Sequence, residues 1–91
     1  MGLKSTTVCL GYQQITDLSS AAALTIPVGT TLALIVPESQ NVRWRDDGTN
    51  PTASVGMPIY VGASLSYDGD LSRIRFIQET ASAKLNVSYY A

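Results

Sequence analysis

The chain has 91 residues, a net charge of −1 and 45% apolar residues, but only 14% charged residues against the usual ~25%. That balance excludes a disordered chain and a phosphate-tracking basic surface, so no nucleic-acid partner is expected. Histidine is absent and Cys9 is the sole cysteine, which removes the commonest general base, the commonest metal ligand and any internal disulfide.

Met1–Lys4 is followed by Ser5-Thr6-Thr7 rather than an apolar core, so no secretory leader is expected. Met1-Gly2 with Thr6 has the spacing of a myristoylation signal, but so short a pattern carries little weight. Thr7-Val8-Cys9-Leu10-Gly11-Tyr12 reads as a first strand, with Cys9 a small strand residue. Asp17–Ala23 is the only stretch with helical promise; Asp17 can cap one or two turns before Pro27 intervenes. Pro27-Val28-Gly29 marks a turn. Leu32–Val36 is apolar on both faces, as suits a strand covered on two sides or one reaching an interface. It is also the longest aliphatic run, far short of a membrane span, so no membrane association is expected.

After a turn over residues 37–41, Val42-Arg43-Trp44-Arg45 alternates with period two. Val42 and Trp44 share the inward face and the two arginines the other. Asp46-Asp47-Gly48 turns the chain. The segment from Thr49 to Pro58 holds Pro51 and Pro58 and no charge; it is long for a hairpin and stiffened by proline. Ser64–Tyr67, Arg73–Phe76 and Lys84–Tyr89 alternate again, with Ile74 and Phe76 inward. Asp68-Gly69-Asp70 and Ala81-Ser82 supply turns. This spacing predicts an all-β chain: one domain over residues 1–91, a small β-sandwich or barrel of seven to eight short antiparallel strands, jelly-roll-like. A faint echo relates Val28-Gly29-Thr30-Thr31-Leu32 to Val61-Gly62-Ala63-Ser64-Leu65, each followed by an aliphatic-Arg-aromatic strand. Two related β-arches packed face to face would produce it, and so would common turn-then-strand grammar.

Chemistry is hard to place in this chain. Asp46 and Asp47 are adjacent, so on a strand they face opposite ways, whereas a working carboxylate pair must converge. Asp46, Asp47, Asn50, Asp68 and Asp70 offer oxygen ligands without the spacing of a calcium loop. Neither an enzyme, nor a bound metal, nor a cofactor, nor a small-molecule substrate is expected. Asn86-Val87-Ser88 matches a glycosylation acceptor but falls inside an expected strand. Trp44 and the tyrosines would suit a glycan-binding module, except that Trp44 shares its face with Val42. The alternative is structural: Arg43, Arg45, Arg73 and Arg75 with the aspartates at the strand ends would form Arg–Asp forks, which either fasten loops to a sheet or cross a subunit boundary. Of the paired C-terminal tyrosines one is expected inside and one outside. The interface residues expected on these grounds are Arg43, Arg45, Asp46, Asp47, Pro51, Met57, Arg73, Arg75 and Tyr90.

The runs NVRWRDDGTNPTASVGM over residues 41–57, YDGDLSRIRFI over 67–77 and AKLNVSYY over 83–90 resemble small β-rich structural proteins of tailed bacteriophages. The likeness lies from residue 41 onward and carries no catalytic motif. It implies a virion component, made in the bacterial host cytoplasm: a head-decoration (cement) protein, or a neck or tail protein. The implied partners are the major capsid or other virion proteins and further copies of the chain.

Overall fold

The structure is a computed structural model, and it describes residues 7–91; the myristoylation-like Met1–Thr6 lies outside them. Seven strands form: β1 (Cys9–Ile15), β2 (Leu32–Glu38), β3 (Val42–Arg45), β4 (Met57–Ile59), β5 (Leu65–Tyr67), β6 (Arg75–Gln78) and β7 (Lys84–Tyr90). They make a four-stranded sheet in the order β1-β7-β2-β5 and a three-stranded sheet in the order β4-β3-β6, antiparallel throughout. The chain is therefore a small β-sandwich.

Period-two alternation builds the core. Leu85, Val87 and Tyr89 of β7, and Ala33 and Ile35 of β2, meet Val42, Ile59 and Phe76 of the smaller sheet. Ile74 and Phe76 are fully buried, as their alternation with Arg73 and Arg75 requires. Tyr89 is 1% exposed, whereas Tyr90 stands partly exposed on the outer face. Tyr89 directs its hydroxyl to Gln13 Oε1 at 2.6 Å. Burial pushes that phenol up to about 12. Gln13 also exchanges bonds with Thr25. A polar residue on the inner side of β1 is thus satisfied, and β1 runs on to Ile15, beyond the Thr7–Tyr12 stretch expected from apolar alternation alone.

Three features differ from the sequence reading. No helix forms at Asp17–Ala23. Asp17 instead accepts bonds from the amide and hydroxyl of Ser19, a local turn, and Ala22 pairs with Phe76 at the side of β6. Residues 57–59 form a strand at the end of the segment expected to be a long, proline-stiffened loop. Three residues around a proline carry no readable alternation; pairing with β3 makes them a strand. Finally, the echo is real but arranged differently. Thr30 N donates to Pro27 O and Ala63 N to Tyr60 O, and Gly29 and Gly62 both hold φ of 89°. Two like turns, each needing a glycine at its left-handed position, launch β2 and β5. Each strand then arches over to the other sheet, β2 into β3 and β5 into β6. The arches are joined edge to edge, not face to face: Ile35 sits opposite Leu65 in one sheet and Trp44 opposite Phe76 in the other.

Candidate functional site

Trp44 and Met57 are directly opposed across β3 and β4 and share the inward face with Val42 and Ile59. Val42 and Ile59 are buried, but Trp44 is only partly so and Met57 is 58% exposed. The inner face of the smaller sheet therefore opens at this end. A groove of about 580 Å³ results, lined by Trp44, Arg45, Asp46, Asp47, Val55, Gly56 and Met57. Trp44 both packs against the core and walls the groove, with its ring edge-on to Tyr67 at 5.8 Å. The wholly interior tryptophan expected from alternation with Val42 is corrected here: the strand pattern sets which face it occupies, but the opposing sheet does not reach far enough to cover it.

The loop forming the far wall is held rigidly. Thr52 and Val55 exchange backbone bonds, and Thr52 Oγ1 accepts from Ser54 and Val55 amides. At Gly56, with φ of 148°, an added Cβ would lie 3.1 Å from Pro51 Cβ and 3.2 Å from both Arg43 Cβ and Trp44 O, so only glycine lets the loop close on β3. Arg43 fastens the same point, donating from Nη1 to Gly56 O at 2.9 Å. Its Nε lies 2.7 Å from Glu79 Oε2 but off the N–H axis, so this contact is an ion pair rather than a directed hydrogen bond.

The carboxylates do not converge. Asp47 accepts both prongs of Arg45, with Nε–Oδ1 at 3.1 Å and Nη2–Oδ2 at 2.5 Å; that bond holds its carboxyl down at about 2. Asp46 Oδ2 instead accepts from Tyr67 Oη at 2.5 Å. Burial first, and then the Asp46 carboxylate, push the Tyr67 phenol up to about 12. Asp70 turns to Ser72, whose hydroxyl bond is the main cause of its lowered carboxyl pKa. Among the described residues no three metal-ligating side chains gather.

The expected four-by-four arginine–aspartate network is not formed. Its one fork, Arg45–Asp47, stays within the turn, and Arg43 turns to Glu79. Arg73 and Arg75 make no ion pair among the described residues; with Gly48, Asn50 and Ser72 they line a second recess of about 220 Å³. Arg75 sits opposite Arg45 across the strands and donates Nη1 to the carbonyls of Ser72 and Ile74. The corner at residues 46–50 thus contributes to both recesses. Of the expected interface residues, Arg45, Asp46, Asp47 and Met57 come together at the groove and Arg43 stands behind it. Pro51 is buried beneath the loop and offers no surface. Tyr90 lies on the other sheet.

Sequence reasoning did not single out Tyr67 and Glu79, which position Asp46 and Arg43, nor the exposed Val55, Tyr60 and Val61 around β4. Their apolar character was visible, but not that pairing of β4 with β3 would set Val55 beside Trp44 in the groove and Val61 at Asn41, whose Oδ1 accepts from its amide. Asn86 is committed to the outer face of the larger sheet, accepting from Tyr12 and Gln14 and donating to Glu38, and so takes part in the sheet's own bonding. Set against known proteins, the chain finds no counterpart: no family model, no curated protein and no solved structure matches it.

Proposed function

We propose that this chain is a structural component of a bacteriophage virion, a capsid decoration (cement) protein that stabilises the head by bridging shell subunits. The observation that carries the reading is the open end of the smaller sheet. There Val55 and Met57, each more than half exposed, line a stiff-walled groove with Trp44, edged by the Arg45–Asp47 pair. Apolar contact with a polar rim is how assembly interfaces are built. A cement subunit works by binding the assembled lattice better than the loose parts, and many copies sum small contacts. This role requires no cofactor, membrane, nucleic acid or small-molecule substrate. The partners are major capsid or other virion proteins and copies of the chain itself.

Quantitative mass spectrometry of purified particles tests it. Copies on the order of hundreds per particle fit the head surface or the tail tube; about a dozen would move the protein to the neck or a vertex, and absence from particles would refute the reading. Re-addition of the chain to particles lacking it should raise their heat resistance, and Met57→Lys should lose that effect while folding normally.

A glycan-binding module is the second reading, favoured by the placement of Trp44 in the groove wall beside Asp46 and Asp47, where a sugar ring could stack. Saturable binding on a glycan array, lost in Trp44→Ala with folding retained, would support it over the first.

A further inference from the structure

The two sheets have four edges, and three are blunted against further pairing. The side of β6 is taken by the preceding chain: Ala22 and Phe76 exchange both backbone bonds, and Gln78 N donates to Leu18 O. β4 is three residues long with Pro58 at its centre. Since Pro58 cannot donate, the ladder to β3 runs through the Val42–Ile59 and Trp44–Met57 pairs, and the nitrogen without a hydrogen faces outward. β5 is also three residues long and leads directly into Asp68 and Asp70. Short strands, proline and charge are the usual means of protecting an edge.

β1 has none of these. It is seven residues, CLGYQQI, without charge or proline. A bulge between Cys9 and Gly11 breaks its first part, leaving Gly11–Ile15 regular. The register says which groups face out. Pro37, opposite Leu85, cannot donate, so β2 and β7 bond through Leu34–Ser88 and Val36–Asn86. Leu85, Val87 and Tyr89 then turn their amides and carbonyls to β1, where they meet Ile15, Gln13 and Gly11. The N–H and C=O of Tyr12 and Gln14 consequently point away from the sheet. Both residues are exposed.

The geometry points to self-pairing of this edge: β1 of a second copy lies antiparallel to it about a twofold axis at Gln13, making one continuous eight-stranded sheet. In this register Tyr12 N–H donates to the carbonyl of the partner's Gln14, and Gln14 N–H to the carbonyl of the partner's Tyr12; symmetry repeats both. A second copy is the fitting occupant because the strand is neutral. Self-pairing sets no like charges opposite one another, while a charged strand would find no counter-charge on β1. Exposed Val8, Leu10 and Tyr12 add apolar contact beside the ladder. The inference concerns β1 rather than the groove, so it stands or falls apart from the virion reading.

Sedimentation equilibrium of the full chain tests it, with thermal melting as the check on folding. The wild type is expected to be a dimer at micromolar concentration. Tyr12→Lys with Gln14→Lys places two lysine pairs face to face and should weaken the dimer about tenfold or more. Tyr12→Lys with Gln14→Glu sets each lysine opposite a glutamate and should restore it; a register centred on Tyr12 would instead oppose lysine to lysine and would not. A wild type that stays monomeric at the highest attainable concentration overturns the proposal. So does a folded double-lysine variant that dimerises normally, or a failure of the lysine–glutamate variant to recover.

Discussion

The two arches of the sandwich start from the same glycine turn and end in paired strands, yet they use their residues differently. In the first, β2 is seven residues long, and both arginines of β3 are held: Arg43 on Glu79 and the Gly56 carbonyl, Arg45 on Asp47. In the second, β5 is three residues long, and Arg73 and Arg75 make no ion pair among the described residues. The aromatic residues differ as well: Phe76 is fully buried, whereas its cross-strand partner Trp44 opens into the groove. One repeated backbone solution has thus been given two tasks. The first arch carries a braced recess, and the second fills the core beneath it and leaves its guanidinium groups without an ion pair among the described residues.

The widest gap should appear between the aromatics. Phe76→Ala is expected to cost about 3–5 kcal/mol in urea unfolding, and Trp44→Ala about 2 kcal/mol, because only part of the indole leaves an apolar environment. Equal losses would mean that the groove closes in solution. The arginines come next. Arg43→Ala removes both an ion pair and the bond to the loop carbonyl, and should cost about 1–2 kcal/mol; Arg73→Ala should stay within about 0.5 kcal/mol.

Gly29→Ala and Gly62→Ala sharpen the likeness instead of the difference. Neither added methyl meets anything closer than 3.9 Å, so each should lose only the left-handed backbone term, about 1 kcal/mol and equal in the two arches. Unequal losses would show that the turns are not equivalent. The smallest effects are ionic. Tyr67, at the end of β5, has a phenol raised from 10.0 to about 12. A raised folded value means its stabilising share is whole below pH 10 and is lost as pH climbs through about 12. Phenolate absorbance should therefore show Tyr67 and Tyr89 ionising well above pH 10, at about 12. Asp47 runs the other way. Its carboxyl is lowered from 3.8 to about 2, so the contribution of its fork is present above pH 3.8 and fades only as pH falls through about 2.

Much of the architecture was readable from residue order. Alternation in Val42–Arg45, Arg73–Phe76 and Lys84–Tyr89 assigned inward and outward faces before any fold was known, since a strand has no other way to place successive side chains. The candidate site was less legible. Arg45, Asp46, Asp47 and Met57 were expected at a surface and do meet there, but Pro51 was expected with them and lies buried, and Tyr90 stands on the other sheet.

By itself, then, the sequence determined the fold class, the glycine turns and the faces of the alternating strands, because these depend on contacts along the chain and on one period. Tertiary structure alone decided that β4 exists, that the arches join edge to edge, that Trp44 is left partly uncovered and that Arg43 finds Glu79. Each of these depends on how far one sheet extends over the other and which strands become neighbours, and no spacing along a single strand encodes that.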